Sequence, residues 1–154
     1  MTQEEKQLLL KDLSARLPYG VKIKYLYWDE DKGCEYPVPM ILDDINSDGY
    51  IRFYGDIEER EGRGYILTYL PYLRPMYSMT EEERKEYESI FSIGEYSCGG
   101  SLEGEEYEYI NDSYDDVTQS VFLIDWLNAH HFDYRGLIDK GLALEAPEDM
   151  YKAV

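Results

Sequence analysis

Positive charge is scarce in this 154-residue chain, with 15 Lys and Arg against 33 Asp and Glu and a formal net charge of −18. Binding nucleic acid directly needs a basic face that neutralises phosphates, so that class of ligand is excluded. Cysteine is scarcer still. Cys34 and Cys98 are far apart and form no CxxC pair, which reads as two reduced thiols in a cytoplasmic setting. No apolar run approaches the roughly 20 residues that cross a bilayer, so no membrane partner is expected. The opening Met1-Thr2-Gln3-Glu4-Glu5-Lys6 has neither the basic nor the apolar region of a secretory leader. A G-x-S-x-G turn and a phosphate-cradling glycine loop are both missing, as are internal repeats, linkers and low-complexity blocks.

What the chain does have is a 44% hydrophobic content, enough for a core, and 17 tyrosines among its aromatic residues. Its length suits one domain over 1–154. Thr2 with Glu5 is a capping box, and Leu9, Leu10, Leu13 and Leu17 follow at helical spacing up to the stop Pro18-Tyr19-Gly20. From Val21 the period becomes two, with Val21, Ile23, Tyr25 and Tyr27 on one side of a strand. Further strands are predicted over Tyr36 to Ile45, Tyr50 to Ile57 and Tyr65 to Leu70, the last after a polar loop from Glu58 to Gly64. Pro37 and Pro39 cannot donate to a ladder and assign the start of the second strand to an edge.

Pro71 and Pro75 then end the sheet, and Thr80 with Glu83 repeats the capping box ahead of a second helix of about three turns. Gly94 to Gly104 reads as a loop or a hairpin tip, and Tyr107 to Ile110 as a short added strand. Asp115-Asp116 open a third helix on which Val117, Val121, Ile124 and Leu127, widened by Phe122 and Trp126, predict burial on a broad face. A turn of helix around Leu137 and Ile138 and a strand at Leu142 to Leu144 complete the tail. The expected fold is α+β, an antiparallel sheet of four or five strands with about three helices packed on one face.

The acidity is lopsided. Residues 1–77 carry 14 acids and 10 bases, whereas 78–154 carry 19 acids and 5 bases. Between Lys85 and Arg135 stand 12 acids and no base: Glu86, Glu88, Glu95, Glu103, Glu105, Glu106, Glu108, Asp112, Asp115, Asp116, Asp125 and Asp133. Such a field draws a basic protein surface and makes its binding salt-sensitive. Tyrosines among the acids suit an interface, because each combines apolar area with a polar tip. The binding residues so predicted are Glu103, Glu105, Glu106, Tyr107, Glu108, Tyr109, Asp112, Asp115 and Asp116. A narrower version is mimicry of nucleic-acid phosphates; the competing account is a solvated face that keeps the protein soluble. Pairing with a second copy through a sheet edge is left undecided by the sequence.

Two patterns bear on other chemistry. Asp44, Asn46, Asp48 and Gly49 match the first half of an EF-hand calcium loop, yet position 12 is Gly55 and the flanks alternate like strands. A hairpin turn explains the same letters, so no cofactor is expected beyond that weak calcium candidate. His130 and His131, the only histidines, end the third helix. Adjacent residues point about 100° apart and cannot ligate zinc together as an i, i+4 pair would. A helix-end role suits them through the macrodipole; the enzymatic alternative pairs an imidazole with Asp133 or Asp125. Arg135, the first base after the acidic stretch, is expected to tie that stretch down internally.

Leu17-Pro18-Tyr19-Gly20-Val21, Tyr72-Leu73-Arg74-Pro75-Met76 with Ser78 to Glu83, and Asp125 to Ile138 resemble segments of uncharacterised small acidic proteins of gut Bacteroides-type bacteria and their phages or mobile elements. The resemblance implies a bacterial or phage-encoded setting and carries no activity or site residues.

Overall fold

The structure is a computed structural model that describes residues 1–55, 61–66, 68–96 and 105–152, with side chains described outside 91–96 and 105–115. Helix α1, Gln3–Arg16, starts on the expected box: Thr2 Oγ1 accepts from the Glu5 amide at 3.1 Å and Glu5 accepts from the Thr2 amide at 2.8 Å. A single 3₁₀ turn, Leu17–Tyr19, ends at Gly20, whose φ of 69° is the left-handed conformation that glycine adopts without strain.

Four strands follow in sequence order as one antiparallel sheet: β1 Lys22–Asp29, β2 Cys34–Ile45, β3 Tyr50–Tyr54 and β4 Glu61–Tyr65. β3 pairs with β2 only from Ile41 to Ile45, so Pro37 and Pro39 stand in the half of β2 that β3 leaves unpaired, as their missing amide protons require. Leu9, Leu10 and Leu13 of α1 meet Val21, Ile23, Met40, Leu42, Ile51 and Phe53 in the core. The α+β architecture of three helices and a four-stranded antiparallel sheet follows from that contact; α1 contributes to the shared core, while the two later helices pack on one another.

The fourth strand corrects the sequence expectation. It runs over Glu61–Tyr65, within the predicted polar loop, and not over Tyr65 to Leu70. Its inward positions are Gly62 and Gly64, opposite Phe53 and Ile51, so it shows no apolar alternation. The glycines are needed there: a Cβ on Gly62 would collide with the Phe53 ring, and one on Gly64 with the Tyr69 ring. Those rings supply the core cover that β4 lacks, with Phe53 and Tyr69 centroids 5.0 Å apart. Gly64→Ala is therefore expected to cost about 1–3 kcal/mol through overpacking, measured by urea unfolding; an unchanged midpoint would show that Tyr69 moves aside freely.

Residues 70–74 form the junction of the molecule. The Lys24 amide donates to the Leu70 carbonyl, β5 Tyr72–Leu73 pairs in parallel with β6 Leu144–Glu145, and Arg74 exchanges backbone bonds with His131 and Asp133. The two prolines expected to end the sheet instead bracket a short strand that touches three parts of the chain. The tail strand lies at Leu144–Glu145, and Leu137 to Lys140 form turns without a helix.

Helix α2, Glu81–Tyr96, repeats the capping box at Thr80 and Glu83 and extends through the first residues of the predicted loop. The Glu83 carboxylate also accepts two 2.7 Å bonds from Arg74, which hold its pKa down to about 2. Helix α3 runs from Glu105 to Ala129. Tyr107 to Ile110 are thus helical, not a strand, and the helix begins well before Asp115. Residues 97–104 of the predicted glycine-rich loop lie outside the described residues.

Candidate functional site

The side of α3 that meets α2 is marked by three contacts. Gln119 Nε2 donates to the Ile90 carbonyl at 3.3 Å, Trp126 Nε1 donates to Glu86 at 3.2 Å, and the Trp126 ring lies 5.7 Å from Tyr87. Positions 119 and 126 share one face of a helix at 3.6 residues per turn, and positions 117, 121 and 124 lie on the opposite one. That opposite face is open: Val117, Val121 and Ile124 are 64%, 52% and 39% exposed, and Phe122, on the flank between the two faces, is 51% exposed. This overturns the expectation of a broadly buried stripe, of which only Leu127 is buried, with Trp126 half-buried.

A shallow depression of about 510 Å³ lies along the open face, bounded among the described residues by Val117, Val121 and Ile124 with Asp116, Ser120 and Asp125. Asp116 and Asp125 are exposed, and among the described residues no ion pair reaches either. Apolar surface bordered by unpaired carboxylates is suited to bind a cationic, partly apolar surface.

The predicted binding residues distribute as follows. Glu103 lies outside the described residues. Glu105, Glu106, Tyr107, Glu108, Tyr109, Asp112 and Asp115 belong to the N-terminal half of α3, with side chains outside the described set, and Asp116 is the exposed member whose side chain is described. Two carboxylates of the acidic stretch have internal roles: Glu86 accepts from Trp126, and buried Asp133 accepts from the Leu137 and Ile138 amides at 2.8 and 2.9 Å. Arg135 lies against Asp12 of α1, at 3.4 Å, so among the described residues its ion pair is internal but ties the turn after α3 to α1 and not to the acidic stretch. The open valines and isoleucine were missed as site residues because their spacing is also that of a core stripe.

The histidines close α3. The Phe132 amide donates to the Leu127 carbonyl and the His131 amide to the Asn128 carbonyl, at 3.0 and 3.1 Å, the paired bonds of a Schellman motif. His131 stands where glycine is usual, with φ 61°. Its buried ring stacks on Tyr151 with centroids 3.8 Å apart. His130 Nδ1 donates to the Trp126 carbonyl at 2.8 Å and so caps the last turn. Asp133 is occupied by backbone amides, the His130 ring serves the helix end, and His131 closes it through its backbone while its ring packs on Tyr151.

Asp44 belongs to strand β2, opposite Arg52, and the hairpin turn runs from Asn46 to Gly49, with Asn46 Oδ1 accepting from the Asp48 and Tyr50 amides, each at 3.0 Å. Gly49, with φ 91°, completes it. Among the described residues no group of three or more His, Cys, Asp and Glu is placed to hold a metal ion, and no helix is long and apolar enough to cross a membrane. No family model, curated protein or solved structure matches the chain.

Proposed function

We propose that the protein is a non-enzymatic interaction module, of bacterial or phage origin and acting in the cytoplasm, whose α3 surface binds a basic surface of another protein. The observation that carries this reading is the open apolar face of α3 with Asp116 and Asp125 unpaired at its border. The absence of any Lys or Arg from the 12-acid stretch means that no covalent neighbour cancels the field. Long-range attraction would speed encounter, and the apolar face would hold the bound partner.

The reading is tested by immobilising the full chain and recovering proteins from a lysate of the source cell. Recovered proteins should be predominantly basic, and their retention should fall at least about tenfold as salt rises from ~50 to ~200 mM, the range over which surface charges become screened. Retention indifferent to salt would overturn it.

A further inference from the structure

The spacing of the open face extends beyond the three exposed side chains. Positions Tyr107, Ile110, Tyr114, Val117, Val121 and Ile124 follow one another at intervals of three and four residues within one helix. That is the a/d spacing of a coiled-coil seam. Beside the exposed positions stand the short polar residues Thr118 and Ser120, which leave room for another helix to approach. At 1.5 Å per residue the seam is about 27 Å long, matching a partner helix of about 18 residues. Along Val117 to Ile124 α2 does not fill it, since Gln119 and Trp126 fix α2 on the other side.

We propose that this seam receives one amphipathic helix of a partner protein, apolar along one stripe and flanked by Lys and Arg. The inference rests on the basic-partner reading above and adds the shape of what binds. Charge selects this occupant over a second copy of the chain. Two α3 helices laid together would bring two stretches rich in acid and free of base face to face, within a chain whose net charge is −18. Like charges juxtaposed at an interface suppress association, whereas basic flanks beside Asp116 and Asp125 favour it. The apolar positions would enter the seam as i, i+3, i+4, i+7 anchors.

The probes are three synthetic helical peptides of about 21 residues: one with a leucine stripe at a/d spacing and Lys elsewhere, a scrambled peptide of the same composition, and one with the same stripe and Glu in place of Lys. Binding to the full chain is read by fluorescence anisotropy, with sedimentation of the chain alone in parallel. The basic striped peptide should bind at least about tenfold more tightly than the scrambled one, equivalent to about 1.4 kcal/mol. V117S/V121S should lose that preference while melting at the wild-type temperature, because both valines are exposed. Equal binding of the scrambled peptide would remove the helix-docking proposal and leave the basic-partner reading standing. Binding of neither basic peptide, or equal binding of the acidic one, would remove both. A dimer of the chain alone that V117S/V121S dissolves would make the occupant a second copy and overturn the proposal. So would a large drop in the variant's melting temperature, which would assign the valines to the fold.

Discussion

Asp12→Ala is expected to destabilise the protein by about 3–5 kcal/mol, the cost of leaving a buried charge without its partner. Asp12 and Arg16 lie one turn apart on α1 and are both 0% exposed. Arg16 donates to Asp12 from Nε at 2.8 Å and from Nη2 at 3.1 Å, and Nη2 also reaches the Phe132 carbonyl at 2.6 Å. Its Nη1 already has no hydrogen-bond partner, so the guanidinium is held by few groups. With Asp12 gone, Arg16 keeps one carbonyl, and Arg135 loses the carboxylate it lies against. Urea unfolding should show the midpoint shift at an unchanged slope. The double variant Asp12→Leu/Arg16→Met should recover most of the loss, because a buried ion pair replaced whole by apolar groups is often neutral; the Phe132 carbonyl, stripped of its donor, sets what is not recovered. A loss below about 1 kcal/mol in Asp12→Ala would mean that water reaches Arg16 and that the pair is not buried in solution.

Neither residue was legible as core. Asp12 and Arg16 sit at i, i+4 among the helical positions of Leu9 and Leu13, where a polarity pattern reads them as the wet edge of the stripe. What buries them is distant in sequence, the turn after α3 that brings Phe132, Tyr134 and Arg135 over α1. The same kind of reason separates the rest of what the sequence told from what it did not. Capping boxes at Thr2 and Thr80, the leucine stripe of α1 and the hairpin turn at Asn46 to Gly49 are local, and each stands in the structure. β4 was misread because Gly62 and Gly64 carry no side chain to alternate, their place in the core being taken by Phe53 and Tyr69. The parallel pairing of Tyr72–Leu73 with Leu144–Glu145 joins segments some seventy residues apart and leaves no periodic trace. The candidate surface fails in the opposite way: Val117, Val121 and Ile124 have the period of a buried face, and periodicity does not say whether this chain or another molecule does the burying.

The second large effect is a loss of stability in mild acid that originates at His131. The ring is buried between the end of α3 and Tyr151, whose hydroxyl accepts from the Lys22 amide and donates to the Tyr72 carbonyl, each at 2.8 Å. Burial pushes the His131 pKa down from its ordinary 6.5 to about 3, and the nearby charges of Arg16, His130, Arg74 and Lys22 add to the effect. As pH falls below 6.5 the unfolded chain takes up a proton that the folded chain refuses until about pH 3. The stabilising contribution is therefore complete above pH 6.5 and lost between pH 6.5 and 3, on the order of 5 kcal/mol over that range. Glu83, held down to about 2 by Arg74, adds a separate loss below its ordinary 4.5. Among the described residues the interval from pH 6.5 to 5 consequently isolates the histidine. His131→Asn keeps a residue that tolerates φ 61° and removes the titrating ring, so its unfolding free energy should be nearly flat over that interval while the wild type loses about 1–2 kcal/mol. Parallel curves for the two proteins would mean that the His131 ring takes up its proton without unfolding the helix end, and the stacked, dry position against Tyr151 would have to be abandoned.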